Sequence, residues 1–518
     1  MDTWTSGYVA DIGYTYGYYA ELNPHRARLA LLNAGLHVPK VATACELGFG
    51  QGLSTNIHAA ASGVGWWGTD FNPSQAGFAQ NLAAGAAIPA HLYDDAFAEF
   101  AARTDLPDFD FIGLHGIWSW ISDENRHVIV DFIRRRLKVG GILYISYNTL
   151  PGWAAFAPMR HLMTEHAEVL GAEGRGIVSR IDGALDFASR LLETNPLFLR
   201  ANPLIGERVK QLKNQNRHYL AHEYFNRDWH PMHFATMAQW LAPAKLQFAA
   251  SAHYLDQFDA LNLSPDQQVF LNEIPDPMFK QSVRDFMTNQ QFRRDYWVKG
   301  ARRLHGLEQA EALGKERVVL VTPRSEVSLK VKGSLGEATM NESVYAPILD
   351  TMADHRPRTL QEIQRDVNQP GIDFVQVLQT MIVLTGAGHV QAAQADEDME
   401  IARGVCDRLN VTLLNRARAS GEIGYLASPV TAGGLSVSWF EQLFLSGYLQ
   451  RGQQAQAEAQ AQHCADHAWK VLQSQGQKVL KDGAALQAEA ENIAELTAQA
   501  QRFLEKKLPL LRALRVVG

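Results

Sequence analysis

The sequence predicts an α/β fold, a doubly wound seven-stranded sheet with a helical insertion, joined to a mainly α C-terminal region. Three observations predict it. The stretch "VATACELGFGQGLSTNIHAAA" (41–61) runs from apolar residues through three alternate glycines into a helical pattern, the order strand, tight turn, helix. Strand and helix signals then alternate, with strands near 42–46, 65–69, 90–93, 109–115 and 141–147, and such alternation builds a parallel sheet. Residues 155–229 break that rhythm with a helical pattern, after which 233–252 restores a helix and a strand and 291–300 offers a seventh strand.

With 518 residues the chain exceeds a single core, because cores stop growing near about 250–300 residues. The expected divisions are 1–154 for the core sheet and an N-terminal lid, 155–229 for the insertion, 230–305 for completion of the sheet, 306–395 for a hairpin and a small module, and 396–518 for a mostly helical region. Near the start, Pro24 opens a helix carrying Leu29, Leu32 and Leu36 on one face. In the module, "RVVLVTPRSEVSLKV" (317–331) reads as the hairpin, and 342–391 is similar to a winged helix. A DNA reader of that shape wants basic side chains on its recognition helices, whereas Arg358 and Arg365 stand nearly alone. That favours a structural or protein-contact module. The tail 453–517 is rich in Gln and Ala and lacks a strict heptad, leaving partner packing and intramolecular docking both open.

The chemistry concentrates at the ends of the first three strands. Gly48, Gly50 and Gly52 let the chain turn closely, and Ser54 or Thr55 can cap the helix beyond. The dinucleotide pattern G-x-G-x-x-G fails, since Leu53 stands where the last glycine belongs. Glu46, before the first glycine, would repel a pyrophosphate but attract an ammonium group such as that of S-adenosylmethionine. Asp70 ends the second strand, where a carboxylate can accept both ribose hydroxyls, with Phe71 next to it. Asp94 and Asp95 end the third; Asp95 can accept the adenine amino group, and Phe97, after Ala96, can pack on the ring. Three successive strand ends thus offer acids to one small, cationic, adenosine-containing ligand.

On "ELGFGQG" (46–52), "TDFN" (69–72) and "DDAF" (94–97), the chain resembles the class I S-adenosylmethionine-dependent methyltransferases, whose core is a Rossmann-like sheet. "HGIWSWIS" (115–122), "GGILYISYNTLPGW" (140–153), "YLAHEYFNRDWHPMHF" and "FRRDYWVKGARRL" narrow the resemblance to members carrying a methyltransferase regulatory domain, among them the rickettsial-type protein lysine methyltransferases. It covers residues 8–305. It implies S-adenosylmethionine as cofactor, contacts from Tyr14, Glu46, the three glycines, Asp70, Phe71, Asp95, Ala96, Phe97 and His115, an antiparallel last strand, and a homodimer through the insertion.

Methyl transfer is an in-line displacement, so the protein must align donor and nucleophile and see the acceptor's proton removed. The fourth strand end, "FIGLHGIWSWIS", supplies His115, either a base or a residue that hydrogen-bonds the loop or positions the cofactor. Trp118 and Trp120 either wall the acceptor channel or pack into the core. After the fifth strand, Tyr147 and Asn148 can orient a lysine amine, with Trp153 at the same sheet edge. Tyr14, Thr15, Tyr16, Tyr18 and Tyr19 either close over that slot, with Tyr16 at the acceptor, or form an aromatic core. In "HYLAHEYF", His218 and His222 share a helix face beside Glu223. Amine methylation needs no metal, so His222 and Glu223 are placed in the acceptor groove. An N-P-P-Y or D-P-P-Y sequence is missing after the fourth strand, which disfavours adenine and glutamine acceptors. The expected acceptor is a protein lysine; a sugar or other small metabolite, and a non-catalytic adaptor that only binds S-adenosylmethionine, are the alternatives.

Composition bounds the rest. A net charge of −7 and a pI near 6.2 give no general attraction to nucleic acid or anionic membrane. No stretch reaches the roughly 20 apolar residues that span a bilayer, and the N-terminus lacks a basic segment followed by an apolar run. Cys45, Cys406 and Cys464 are too scattered for a disulfide framework or a zinc site. A cytoplasmic location is expected.

Overall fold

The computed structural model describes residues 15–171, 176–451 and 457–517. Its first α-helix is α1 (Pro24–Asn33), with Pro24 in the first turn and the Asn23 side chain accepting from the His25 amide, as N-caps do. There follow β1 (Thr43–Leu47), α2 (Leu53–Ala61), β2 (Gly65–Thr69), α3 (Pro73–Ala86), β3 (Ala90–Tyr93), α4 (Phe97–Ala102), β4 (Phe109–Leu114), α5 (Asp123–Arg136) and β5 (Leu137–Asn148). The caps are local and legible. Asn72 caps α3 just before Pro73; Ser122 caps α5, whose first turn holds Asp123 and Glu124 and whose last holds Arg134, Arg135 and Arg136, the charge order a helix dipole favours.

A helical insertion follows: α6 (Leu150–Trp153), α7 (Ala157–Val169), α8 (Gly176–Glu193), α9 (Leu197–Ala201), α10 (Leu204–Lys213) and α11 (Arg217–Tyr224). It has its own apolar core, built around Met163, Ile181, Leu185 and Val209. The chain then returns through α12 (Phe234–Leu241) to β6 (Leu246–Ser251), passes α13 (Asp259–Asn262), α14 (Pro265–Asn272) and α15 (Pro277–Met287), and enters β7 (Phe292–Lys299). The sheet order is β3-β2-β1-β4-β5-β7-β6. β1 to β5 pair in parallel, and β7 runs antiparallel between β5 and β6. Every residue of β4 is buried, as a strand covered on both faces requires.

Beyond α16 (Gly306–Lys315), the stretch read as one hairpin splits. β8 (Arg317–Leu320) joins β11 (Arg358–Thr359) and β12 (Val390–Ala392) in a three-stranded sheet, while the hairpin forms later, from β9 (Lys330–Gly333) and β10 (Gly336–Thr339). The physical reason lies in burial: Val318, Val319 and Leu320 are all buried, which calls for a partner on each edge, and Pro323 starts a turn at Arg324–Glu326 that carries the chain away. Helices α17 (Glu342–Thr351), α18 (Leu360–Val367) and α19 (Phe374–Gly386) lie within this module. The chain ends in α20 (Asp396–Ala417), the pair β13 (Tyr425–Ser428) and β14 (Gly433–Ser436), α21 (Trp439–Arg451), α22 (Ala457–Ser474), the two-residue strands β15 (Leu480–Lys481) and β16 (Ala484–Ala485), α23 (Glu489–Arg502) and α24 (Leu508–Ala513). Among the described residues, no helix is long and apolar enough to cross a membrane.

Candidate active site

The β1–α2 turn shapes the main pocket. Gly48, Gly50 and Gly52 have φ of +74°, +57° and +64°, the left-handed region that glycine enters without a Cβ penalty. At Gly52 a Cβ would also lie 2.5 Å from the Ala79 Cβ. Asp70, at the end of β2, braces the turn: Oδ2 accepts from the Gly50 amide at 2.8 Å and Oδ1 from the Asn72 amide at 3.0 Å. Burial pushes its carboxyl up to about 6, against those two amides. Glu46 accepts from the Thr55 hydroxyl. Burial raises it to about 8, with the Thr55 bond opposing and nearby Asp70 adding to the rise. Around these groups lies a cavity with about 890 Å³ of empty space, including its open mouth.

Glu46, Gly48, Gly50, Gly52, Asp70, Phe71 and Phe97 line this pocket, as do His115, Trp120, His222 and Glu223. The helical insertion therefore contributes to its wall. His115 follows β4; its ring stacks on Tyr19 at 3.7 Å between centroids, and its Nδ1 lies 2.7 Å from the Tyr144 hydroxyl. Burial lowers its pKa to about 4, with Glu21 opposing and Arg294 reinforcing the fall. The imidazole is neutral at pH 7.

Several expected contacts are not made. Asp95 and Ala96 fall outside the pocket lining; the Asp95 carboxylate pairs with Arg103 at 3.0 Å, whose guanidinium also covers Tyr93. Tyr147 points to the opposite face of β5 from Tyr144, following the alternation of a strand; it is buried and donates to Asp295 Oδ2 at 2.9 Å. Asn148 is buried, its backbone amide donating to Ser119 Oγ at 2.8 Å, and stays outside the pocket lining. Trp118 is fully buried, with Nε1 directed at Met232 Sδ. Trp153 belongs to the insertion core, where the Arg208 guanidinium lies 4.2 Å from its ring centroid. Tyr16 packs on Phe78 at 5.0 Å rather than into the pocket. Tyr14 lies outside the described residues.

Sequence reasoning missed Gln51, Gln75, Ile117, Ile121 and Asn226, which also line the pocket. Gln51 stands inside the glycine turn, and Asn226 follows His222 by one helical turn and donates to its carbonyl at 2.6 Å, so both carried a spacing signal. Gln75 carried none. Its Nε2 is buried with no hydrogen-bond partner among the described residues, and a buried donor of that kind fits a ligand that brings an acceptor. Among the described residues, no group of three His, Cys, Asp or Glu is placed to hold a metal ion.

A sheet with an antiparallel β7 inserted next to β5, a glycine turn after β1 and a carboxylate at the end of β2 define a class I methyltransferase fold. Residues 216–299 match the family described as "Predicted methyltransferase regulatory domain". The chain is 41% identical over 517 residues, 99% of each chain, to the uncharacterized protein sll1526 of Synechocystis sp., and 29% identical over 195 residues, 37% of this chain and 34% of the other, to the uncharacterized protein RP789 of Rickettsia prowazekii. Among solved structures, PKMT2 from Rickettsia typhi in complex with AdoHcy superposes with a TM-score of 0.67 at 16% identity, covering 97% of this chain and 100% of that one. The chain therefore belongs to one family with sll1526 along its whole length, carries a methyltransferase regulatory domain over residues 216–299, and has the fold of the class I S-adenosylmethionine-dependent methyltransferases.

Proposed function

We propose that this protein transfers a methyl group from S-adenosylmethionine to the amino group of lysine side chains in a protein acceptor. One observation carries the reading: a single pocket is lined both by the glycine turn, Glu46 and Asp70 and by His115, Trp120 and the insertion residues His222 and Glu223, and we assign the first group to the cofactor and the second to the acceptor. Bound by the first group, S-adenosylmethionine would supply an electrophilic methyl carbon. Asp70 keeps lone pairs beyond its two amide bonds for the ribose hydroxyls, Gln75 Nε2 offers a buried donor, and Phe71 and Phe97 offer faces to the base. Burial leaves Glu46 largely protonated at pH 7, and an ammonium partner would draw that proton off. The AdoHcy bound by PKMT2 of Rickettsia typhi supports the choice of cofactor.

In the second group, the Trp120 ring offers a cation-accepting face and Glu223 a carboxylate to an alkylammonium. Only the neutral amine carries a lone pair, so the ammonium must lose its proton before attack, and the rate should rise with pH toward the ordinary lysine value of about 10.4. The insertion and the C-terminal modules suit an acceptor larger than a metabolite, and we read the α17–α19 module as a winged-helix-like protein-contact piece rather than a DNA reader.

The test incubates the full chain with methyl-labelled S-adenosylmethionine and bacterial lysate, then separates protein from small molecules. Label recovered as methyl-lysine after acid hydrolysis supports the reading. Label confined to small molecules overturns the lysine acceptor, and tight cofactor binding with no label transferred overturns the enzyme.

A further inference from the structure

The hydroxyls and amides behind His115 fix where its one proton sits. The Gly116 amide, which can only donate, gives its hydrogen to Ser146 Oγ at 2.8 Å. Ser146 and Tyr144 are two apart on β5 and so share a face, and the two hydroxyls are hydrogen-bonded to each other. Each hydroxyl owns one hydrogen. With Ser146 Oγ accepting from the amide and donating to Tyr144, the single Tyr144 hydrogen is left for its other neighbour, His115 Nδ1, at 2.7 Å. Running the chain the other way would have Ser146 Oγ receive two hydrogens and find an acceptor for its own, and no such acceptor bonds it among the described residues. Both Tyr144 and Ser146 are buried, so water does not substitute.

We propose that the chain from the Gly116 amide through Ser146 Oγ and Tyr144 Oη to His115 Nδ1 locks His115 as the Nε2–H tautomer, so that His115 presents a hydrogen-bond donor, not a base, to the pocket, with Tyr144 as its positioning residue. The charged groups near the ring, Glu21 and Arg294, are paired with each other at 2.7 Å. Tyr19 stacks on the imidazole face and Phe292 meets it edge-on, so neither takes the ring proton through its plane. The partner chemistry follows. An Nε2–H recognises an oxygen acceptor, such as a carboxylate or a main-chain carbonyl presented in the pocket, and the proton of an acceptor amine must leave by another route. The base role expected for His115 is thereby replaced. The functional consequence rests on the methyltransferase reading above, but the tautomer does not.

The experiment is nitrogen NMR of the full chain with labelled histidine and no substrate, with the His115 signals assigned by their loss in His115→Gln. The expected spectrum shows a neutral ring from pH 6 to 8, Nε2 carrying hydrogen and Nδ1 bare. Tyr144→Phe removes the donor and should shift the two nitrogens toward an averaged, mixed-tautomer pair. If that variant does not fold, Ser146→Ala should move the signals in the same direction by a smaller amount. A hydrogen on Nδ1 in the unaltered protein, an imidazolium at pH 7, or a spectrum indifferent to a folded Tyr144→Phe or Ser146→Ala would overturn the proposal. A failed methyl-transfer assay would leave this result standing, and a wrong tautomer would leave methyl transfer untouched.

Discussion

Glu46 carries the sharpest consequence at the scale of one residue. Its carboxyl is raised by burial from an ordinary value near 4.5 to about 8, so the folded protein holds a proton that the unfolded chain has lost above pH 4.5. Its favourable contribution is complete below the unfolded value and is lost as pH rises through about 8. His25, His58 and His115, each lowered to about 4 by burial, act oppositely: their contribution is present above 6.5 and lost as pH falls toward 4. Thermal melts of the unliganded protein and of Glu46→Gln should therefore converge or cross as pH rises from 5 to 8, the variant gaining on the parent; parallel curves would remove Glu46 as a buried acid. Asp70→Ala removes a brace from the turn and the carboxylate we assign to the ribose together, and calorimetry should show cofactor affinity weakened by about 1–3 kcal/mol. Glycines and acids at strand ends were legible because few other roles need those residue types in that place. Tyr147, Trp118 and Trp153 were not, because an aromatic ring serves a core as well as a channel, and only the strand face or helix face decides. The ion pair of Asp95 with Arg103, eight residues on, was likewise not legible.

Elements differ in how strictly their glycines are required. Gly52 combines a positive φ with a Cβ position 2.5 Å from the Ala79 Cβ, whereas Gly116 has φ of +68° with nothing within 4 Å. Gly52→Ala should pay both strain and overlap, lowering stability by about 2–4 kcal/mol, while Gly116→Ala should cost only about 1 kcal/mol for the left-handed conformation. Urea unfolding of the two variants checks the order; equal losses would mean that backbone strain alone governs the turn. All seven strands of the sheet could be read from the sequence: β4, buried on both faces, as an apolar run, and β7, which carries Arg293, Arg294 and Asp295, by its place after the helical insertion. The β8 pairing could not, because its partners β11 and β12 come some 40 and 70 residues later and are two and three residues long, too short to leave a period. The 12-residue length of β5 was underestimated for a similar reason: Lys138, Gly140 and Gly141 near its start break the apolar run.

At the scale of the molecule, the C-terminal region is part of how the core holds together. All nine residues of α2 are buried, which a helix on the outside of a lone doubly wound sheet would not show. The cover comes from α20 and the β13–β14 pair. It also satisfies carbonyls that helix ends leave without an internal partner: Cys406 Sγ lies 3.4 Å from the Ala60 carbonyl, Gln394 Nε2 donates to that of Ala61 at 2.9 Å, and Arg408 Nε donates to that of Ala86, at the end of α3, at 2.9 Å. Asn23, the cap of α1, reaches across to the carbonyls of Thr431 and Ala432. Because α2 begins at the glycine turn, its packing against α20 bears directly on the pocket. A chain ending at residue 305 would uncover Ile57, Ala60 and Ala61 and strand these carbonyls, and it is expected to melt at markedly lower temperature, bind a dye for exposed apolar surface, and lose most of its affinity for S-adenosylmethionine. Arg408→Ala, which removes one such bond at the edge of the same contact, should cost about 1 kcal/mol and leave the pocket formed. If the shortened chain instead melted like the full one and bound the cofactor equally well, the C-terminal region would be a separate module resting on a self-sufficient core, and the burial of α2 would have no bearing on the site.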